Sequence, residues 1–257
     1  ERGGGPISFV RKFYGLSYPE AVMRLLGSEQ GQAFEPVQRT KPREKKEFAL
    51  PPRSPTMRRM YAYLLKERCI RREVVDAFVH GKLLYESVEP SADGNKEYHN
   101  AVFVGCDEHS VARHAHKRGL YTLGGGYKMN AAGCDPRFSF HHCGASDRLY
   151  VFEAPVDLLS FLSLYPAGWQ EHSYVALCGT SKHAMLWMLE QSKHLQQVVL
   201  CLDNDKPGIK AAGRLAEVLQ AKGYDQVGVL LPQGKDWNDD LVAQQSQTTN
   251  FSMTMGG

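Results

Sequence analysis

The chain of 257 residues lacks any Cys-x-x-Cys pair, which excludes a complete zinc ribbon although six cysteines are present. It also lacks an apolar run of the roughly 18 residues that span a bilayer, and no apolar signal segment follows the N-terminus. These absences predict a protein of the reducing cytoplasm with no membrane partner. Since the chain opens on Glu1 without a Met, we also expect a fragment of a longer protein.

Two short clusters lack the context that would make them sites. Gly124-Gly125-Gly126 has no strand–helix frame of the right spacing around it, so it predicts a flexible joint rather than a dinucleotide-binding turn. His141-His142-Cys143 is the one metal-like cluster. Because adjacent side chains rarely converge on one ion without distant help, we favour a structural role for it over a metal site.

Charge is spread unevenly along the chain, although the net charge is only +3. Residues 1–147 carry 23 basic and 17 acidic side chains, whereas residues 148–257 carry 8 and 11. The densest basic stretch, residues 36–72, holds 12 basic and 3 acidic side chains. Two interpretations explain this pattern. In the first, the basic part of the chain binds a polyanion and the acidic part holds a metal ion; in the second, the basic part is a solvated linker beside a neutral enzyme.

The first half of the chain predicts helices followed by a β-rich region. Helices are expected over 6–27, where Ser17 and Glu20 have the spacing of a capping box, and over 61–67 and 71–78. Residues 31–56 are rich in Pro, Lys and Arg without periodicity, which is typical of a linker. Strands are expected at 82–87, 97–104, 110–116 and 120–123.

From residue 148 onward, short apolar strands alternate with helices. The strands are expected at 149–152, 174–178, 198–202 and 227–231, and the helices at 156–164, 182–191, 208–222 and 237–244. This alternation predicts an α/β domain with a mainly parallel, buried sheet flanked by helices. The polar residues from 245 to 257 predict a flexible tail.

Acidic residues follow three of these strands. Glu153 follows the first strand, with Asp157 one helical turn later. Asp203 and Asp205 follow the third, and Asp236 follows the fourth. Ligands of doubly wound sheets bind at the carboxyl ends of the strands, so these groups are expected at one edge. Clustered carboxylates repel each other unless a cation lies among them, and oxygen ligands suit Mg²⁺ or Mn²⁺.

A simpler interpretation is that an Asp after a strand only caps the next helix, and Asp203 or Asp239 could do only that. We favour the metal site because the Asp-x-Asp-x-x-Gly pattern that ends at Gly208 combines with a Glu closing an earlier strand and Lys235-Asp236-Trp237-Asn238 closing a later one.

These segments resemble the three motifs of a Toprim domain, which is shared by bacterial-type primases, type IA and type II topoisomerases and some nucleases. The resemblance rests on residues 152–157, 202–208 and 234–239, and residues 177–180 resemble the turn between the first two motifs. It implies that Glu153, Asp203 and Asp205 are catalytic and hold Mg²⁺ or Mn²⁺. The primase branch adds Asp157 and Asp236 as metal ligands. Asn238 stands where that branch has a further acid, which weakens a second metal site.

The flanking segments resemble primases more than topoisomerases. Residues 4–10 and 15–22 resemble the tail of a primase zinc-binding module without its zinc ligands, and parts of residues 63–119 resemble the start of the primase core. The closest resemblance is to primase-like Toprim proteins of plasmids and conjugative elements. It implies a module remnant at 1–30, a basic linker at 31–56, an α+β subdomain of the core at 57–147, a Toprim domain at 148–244 and the tail.

Primer synthesis needs a metal-bound NTP, a basic groove for a single-stranded DNA template and groups that bind phosphate. For the groove we select Arg113, Lys117, Arg118 and Lys128. For the nucleotide we select Lys235 beside Asp236, and Thr180 and Lys182 at the start of a helix after a strand. The alternatives are a surface ion pair for Lys235 and, for the aromatic residues Tyr127 and Trp237, a place in the core instead of base stacking.

Three functions fit these observations. The first is a Mg²⁺-dependent DNA primase, a nucleotidyltransferase that makes short primers in replication of a plasmid or mobile element, with a helicase or relaxase as partner. The second is a Toprim nuclease that uses the same metals. The third is a DNA-binding Toprim module without catalysis. The complete set of Glu153, Asp203 and Asp205 favours an enzyme, and the flanking segments favour the primase.

Overall fold

The computed structural model describes residues 5–25, 47–91, 94–121, 126–179 and 181–254. The chain divides into two compact units, Glu1–Lys45 and Lys46–Gly257. The described part of the first unit is a pair of helices, α1 (Pro6–Tyr14) and α2 (Tyr18–Leu25). Helix α1 ends at Gly15 with φ 66°, which a residue without Cβ adopts freely. One of the two bonds of the predicted capping box is shown, since the Ser17 amide donates to the Glu20 carboxylate at 2.7 Å.

The second unit opens with a segment that we predicted to be linker. Residues 47–56 instead lie against the sheet that follows. Tyr85 donates its hydroxyl hydrogen to the Pro51 carbonyl at 2.7 Å, Ser54 donates its amide to the Glu86 carbonyl, and Arg53 forms a bridge with Ser87. The linker prediction is therefore wrong for 47–56, because prolines and arginines suit an extended edge segment as well as a linker. Residues 31–46 lie outside the described residues.

Three helical segments precede the sheets. Helix α3 (Arg58–Ala62) continues into a π-helical turn at Tyr63–Glu67, and α4 is Arg72–His80. The chain turns tightly at Arg68-Cys69-Ile70, where Cys69 has φ 55°. A non-glycine residue rarely adopts this left-handed conformation, and here it turns the chain between the two helical segments.

An antiparallel sheet of four strands follows, in the order β1 (Leu84–Pro90), β2 (Glu97–Cys106), β3 (Ala112–Gly119) and β4 (Lys128–Asn130). The first three were predicted within a few residues. The fourth was not: Leu120 and Tyr121 lie outside any strand, and Lys128 to Asn130 pair with Arg118 to His116 instead. Leu120 makes one backbone hydrogen bond, from its amide to the His99 carbonyl at 3.0 Å, but the ladder of β3 ends at Gly119. Residues 122 and 123 of the predicted strand lie outside the described residues.

The second sheet has five strands in the order β5-β7-β6-β8-β9. Strands β6 (Arg148–Phe152), β7 (Ser173–Ala176), β8 (Gln197–Leu200) and β9 (Gln226–Val229) are parallel, and the short β5 (His141–His142) adds an antiparallel edge that we did not predict. The helices between and after them are α5 (Pro155–Leu164), α6 (His183–Gln191), α7 (Lys206–Ala221) and α8 (Trp237–Thr254). The predicted α/β class is confirmed.

The central strands β6, β7 and β8 of the five-stranded sheet are largely buried, which explains their apolar residues, whereas the edge strand β9 is mostly exposed. Along β6, Leu149 and Val151 pack with α6 and α7, whereas Phe152 packs with α4, α5 and α8. The latter core also includes Phe103 of β2, so the two sheets share one apolar cluster. This shared core holds the four-stranded sheet beside the carboxyl ends of β6 and β8.

The last helix is longer than predicted. Helix α8 runs to Thr254, beyond the end expected at residue 244, so the flexible tail expected from 245 is wrong as far as Thr254. Residues 245–254 lack apolar periodicity and are rich in Ser, Thr and Asn, which favour helices only weakly, so the sequence did not predict the extension. No helix of the described residues is both long and apolar enough to cross a membrane.

Candidate active site

Four predicted acids line one cavity of about 200 Å³ at the carboxyl ends of β6 and β8. Glu153 follows β6, and Asp157 lies in the first turn of α5. Asp203 follows β8, and Asp236 precedes α8. Asp205 adds its charge to Glu153 and Asp203 from the start of α7. The sheet thus brings together all five carboxylates selected from the sequence.

Crowding and burial disfavour the charged form of these acids. The pKa of Asp203 is raised to about 7 by burial and by the charges of Glu153, Asp236 and Asp205. Burial is also the main cause that raises the pKa of Glu153, and it raises the pKa of Asp157, 7% exposed, well above its usual range. Such clusters persist where a cation or substrate later compensates the repulsion.

One atom of the cluster is left without a partner. Asp203 Oδ1 is buried and accepts no hydrogen bond within the described part of the chain. A buried carboxylate oxygen without a donor is costly, so a cation or a substrate hydrogen is expected there. The donor set fits Mg²⁺ or Mn²⁺, which use few carboxylates and complete their shell with water and phosphate. Among the described residues, no three His, Cys, Asp or Glu side chains are already arranged as a finished metal site.

Two of the acids also cap helices, but they differ from those we considered. Asp205 Oδ1 accepts from the Gly208 amide at 2.9 Å at the start of α7, and Asp236 Oδ1 accepts from the Asp239 amide at 2.8 Å at the start of α8. We had considered Asp203 and Asp239 as caps, and neither accepts these bonds. A cap occupies one carboxylate oxygen, so Asp205 and Asp236 keep a second oxygen for a ligand.

Asn238 has a structural role. It is 4% exposed, and its Nδ2 donates to the Arg68 carbonyl at 2.8 Å and to Ser160 Oγ at 3.0 Å. Its Oδ1 accepts from the Arg68 guanidinium at 3.1 Å. All these contacts join the helical segment before the sheets to α5 and α8, and they explain why a neutral amide stands at this position.

The four cations selected for a groove separate onto two faces of the four-stranded sheet. Arg118 and Lys128 are paired across β3 and β4, and both line the carboxylate cavity. Lys117 is on the opposite face, where it binds Glu89 at 2.9 Å, and Arg113 binds Asp107 at 2.7 Å near the start of β3. Because neighbouring strand residues alternate in direction, Lys117 and Arg118 cannot serve one surface. The structure brings Arg118 and Lys128 to the site and leaves Arg113 and Lys117 outside it.

The three residues selected for nucleotide binding also separate. Lys235 lines the carboxylate cavity. Lys182 lines a second cavity of about 350 Å³ between α6 and α7, which shares Glu153 with the first. Thr180 lies outside the described residues. The second cavity has an apolar floor that includes Leu177 and Leu202, and Arg214 of α7 joins Lys182 in its lining.

Sequence reasoning missed several residues of the site, namely Arg68, His116, Asn130 and Arg214. Arg68 lies in the carboxylate cavity, where its Nε donates to the Tyr63 hydroxyl at 2.8 Å. The same hydroxyl accepts from Arg118 Nε at 3.1 Å, so one buried tyrosine holds two guanidinium groups beside the acids. Tyr63 could have pointed to these two arginines, because a tyrosine hydroxyl in a buried helical turn needs hydrogen-bond partners.

The other predicted clusters are structural. Within the described chain His141 Nδ1 hydrogen-bonds the Ser139 carbonyl at 2.7 Å and its ring packs on Trp187, which agrees with the structural role expected for His141-His142-Cys143. Trp237 is buried and donates its indole hydrogen to the Cys201 carbonyl at 2.9 Å, so it belongs to the core. Tyr127 is 42% exposed beside Lys117, away from the carboxylates.

Comparison with protein families identifies two segments. Residues 150–241 match a family described as Toprim-like, and residues 62–146 match a family described only as a protein of unknown function, DUF3991. The resemblance inferred from three short motifs is therefore confirmed for the five-stranded part of the chain. The uncharacterized protein pXO2-78 of Bacillus anthracis is 25% identical over 95% of this chain and 75% of its own length.

Solved primase structures share the fold. The primase fragment of the bacteriophage T7 primase-helicase protein superposes with a TM-score of 0.54 at 18% identity, over 71% of this chain and 70% of that one. The Escherichia coli primase catalytic core gives a TM-score of 0.51 at 17% identity, over 75% of this chain and 70% of that one. At these identities the likeness establishes a common fold, in which a smaller α+β part precedes the Toprim-like part.

Proposed function

We propose that this chain, whose residues 150–241 are a Toprim-like domain in a fold shared with primase catalytic cores, is the core of a DNA primase that synthesises short primers from NTPs. One observation carries the proposal: four carboxylates at the ends of β6 and β8 and the starts of α5 and α8 line one cavity with the cations Arg118 and Lys128 of the other sheet, and Asp205 adds its charge to this cluster from the start of α7. Phosphoryl transfer needs groups that bind metal ions and groups that bind phosphate close to each other in one site.

The positions of the carboxylates determine which of them would bind metal ions. Glu153, Asp203 and Asp205 would hold the first divalent cation, with Asp157 and Asp236 available as further ligands. Asp203 is the central group, because its Oδ1 has no partner among the described residues. A Mg²⁺ or Mn²⁺ ion bound there supplies Lewis-acid stabilisation of phosphate charge. Protonation of Asp203 would compete with such an ion, since the pKa of the free carboxyl is raised to about 7.

The cations bind the anionic substrates. Lys235 lies in the same cavity as the acids and would contact the NTP phosphates. Lys182, with Arg214, lines the adjoining cavity and offers a second place for phosphate or for the leaving pyrophosphate. Arg118 and Lys128 would orient the template or primer strand over the acids. Arg113 and Lys117 are no longer part of this proposal, because each already binds a carboxylate outside the cavity.

The partners of the reaction follow from the chemistry and from the relatives. A single-stranded DNA template and NTPs are the proposed substrates, and a replicative helicase or a relaxase is the proposed protein partner. The similar bacteriophage T7 fragment belongs to a primase-helicase protein. We place the activity in replication of a plasmid or other mobile element, a proposal that rests on the sequence resemblance of the flanking segments.

Primer synthesis on a defined template tests the proposal. The chain is incubated with a single-stranded oligonucleotide, labelled NTPs and Mg²⁺ or Mn²⁺, and the products are resolved by length. We expect short oligomers that the Asp203→Asn variant does not make, whereas Lys117→Met, altered on the opposite face, makes them normally.

Other products would indicate the alternative functions. Cleavage of the template without synthesis, lost in Asp203→Asn, would indicate a Toprim nuclease. Binding of the template without either product, at any divalent metal concentration, would indicate a DNA-binding module without catalysis. Either result contradicts the primase proposal.

A further inference from the structure

A histidine and an asparagine next to the carboxylates form a pair with a defined direction of hydrogen bonding. His116 of β3 and Asn130 of β4 are directly opposite each other, and His116 Nδ1 lies 2.7 Å from Asn130 Oδ1. His116 is 6% exposed and lines two cavities. One is the carboxylate cavity, and the other is a third cavity of about 260 Å³, which also contains Glu153 and is separate from the one lined by Lys182. Neither residue was selected from the sequence.

The orientation of the Asn130 amide is fixed by its other contact. Asn130 Nδ2 lies 3.2 Å from the Cys178 carbonyl oxygen, at the turn that follows β7. A carbonyl oxygen only accepts, so the amide nitrogen must face Cys178 and the amide oxygen must face His116. Cys178 has φ 51°, and this left-handed turn directs the carbonyl group toward the four-stranded sheet.

This orientation determines the tautomer of His116. The amide oxygen accepts only, so His116 Nδ1 must carry the ring hydrogen. In the neutral ring the hydrogen is then absent from Nε2, which becomes an acceptor. The ring is held neutral because burial, together with the charges of Lys128 and Arg118, lowers the pKa of His116. His116 Nε2 is therefore a neutral acceptor among the carboxylates and cations of the cavity.

We infer that His116 Nε2 accepts a hydrogen bond from a sugar hydroxyl of the bound nucleotide, which makes His116 a specificity-determining residue. This inference rests on the proposed function, since it needs a nucleotide in the cavity. Its support is independent of the metal site: the directed chain from Cys178 through Asn130 to His116, and the place of His116 in both cavities. A site that offers an acceptor to a hydroxyl discriminates against the analogue that lacks it, because the acceptor is then left unpaired.

Calorimetric binding of three nucleotides to the whole chain tests the inference. The nucleotides are Mg-ATP, Mg-2′-deoxy-ATP and Mg-3′-deoxy-ATP, and the two deoxy compounds distinguish which hydroxyl is bound. We expect one of them to bind about tenfold more weakly than ATP, the range of one hydrogen bond. In His116→Phe, which keeps an aromatic ring against Phe103, the three should bind alike. His116→Gln, which restores an acceptor, should recover part of the difference.

Asn130→Ala examines the directing residue with the histidine in place. Loss of the amide oxygen releases the ring to carry its hydrogen on Nε2, so discrimination should fall as in His116→Phe. The matched control is His141→Phe, because His141 Nδ1 is also held by a carbonyl but its ring lies outside the cavities. That variant should discriminate as the parent does.

A spectroscopic measurement tests the tautomer without any nucleotide. Nitrogen-15 shifts of the histidine rings distinguish hydrogen on Nδ1 from hydrogen on Nε2, and His141 serves as the internal example of the Nδ1–H form. An Nε2–H tautomer for His116 would overturn the inference. So would equal binding of ATP and both deoxy nucleotides, although the proposed function would then stand. If none of the nucleotides binds, the proposed function fails together with this inference.

Discussion

Both faces of the β3–β4 hairpin carry Lys or Arg side chains, but within the part of the chain that the structure describes these cations are paired with carboxylates on the outer face and not on the inner face. On the outer face Lys117 binds Glu89, and nearby Arg113 binds Asp107, so each cation has its own carboxylate. On the inner face Arg118 and Lys128 line a cavity with an excess of acids, and among the described residues neither cation forms an ion pair with a carboxylate within 4 Å. Charges that are paired one to one already have a partner, whereas charges held apart from their complement are available to a ligand.

The largest effect is expected for Asp205, an acid of the cluster that also caps a helix. Asp205 caps α7 through one oxygen, and its charge raises the pKa of the neighbouring Glu153. We expect Asp205→Ser to lower primer synthesis at least a hundredfold while keeping the cap, because a serine hydroxyl caps a helix about as well. Asp205→Ala should lose the same activity and also about 1 kcal/mol of unfolding free energy. Product quantification and chemical denaturation measure the two effects, and an active Asp205→Ser protein would limit this residue to capping.

Neutralising one cation on each face compares the two faces directly. Arg118→Met and Lys128→Met should each weaken binding of a single-stranded oligonucleotide about tenfold and lower the salt dependence by one phosphate contact. Lys117→Met should change binding less than twofold. Fluorescence anisotropy at several salt concentrations measures this. Equal losses on both faces would show that the strand does not enter the cavity.

The acid cluster also predicts how thermal stability depends on pH in the absence of metal. The folded pKa of Asp203 is about 7, above the ordinary value of 3.8, so the folded chain binds more protons than the unfolded chain between these values. Stability from this group is therefore lost as pH rises from about 4 to 7. Buried His114, whose pKa is lowered to about 4, changes stability in the opposite direction over the same range.

The difference between wild type and Asp203→Asn isolates the aspartate from the histidine. In EDTA the melting temperature of Asp203→Asn should exceed that of wild type by an amount that grows from pH 4 to 7 and is constant above. Mg²⁺ should raise the melting temperature of wild type and leave the variant nearly unchanged. Differential scanning fluorimetry across pH measures both, and a Mg²⁺ response that survives in Asp203→Asn would place the ion elsewhere.

The smallest effect is expected for the exposed ion pair on the outer face. Arg113 is half exposed, and the carboxylate of Asp107 keeps the amide hydrogen bonds of His109 and Val111 when Arg113 is changed. Arg113→Gln should therefore alter neither primer synthesis nor, beyond about 1 °C, the melting temperature. A marked loss of activity would mean that the outer face contributes to function after all.

The sequence predicted the features that depend on residues close together along the chain. The α/β alternation and the acids after β6 and β8 could be recognised because the carboxyl ends of parallel strands must meet. The alternation of β3 could not say which of Lys117 and Arg118 faces inward, because both faces of that strand are partly covered. The pairs His116–Asn130 and Arg68–Asn238 join residues of different elements, and only the packing of α8 against the helical segment before the sheets brings the latter pair together.

Prolines and short strands account for the other differences. The segment 47–56 has the composition of a linker, and its extended backbone is held by contacts with Tyr85 and Glu86 that no local pattern reveals. Strand β4 has only three residues, Lys128 to Asn130, and lacks β-branched residues, so its pairing with β3 rather than its composition defines it.

Gly208 has a consequence for how this chain tolerates substitution. Its amide bonds to Asp205, and a Cβ at this position would overlap the main-chain carbonyl of Asp203. Helix α7 can therefore begin directly beneath the loop that carries both aspartates only while residue 208 has no side chain. In a saturation mutagenesis experiment, even alanine at 208 should be as poorly accepted as the loss of an aspartate, for a reason of volume and with every charge intact.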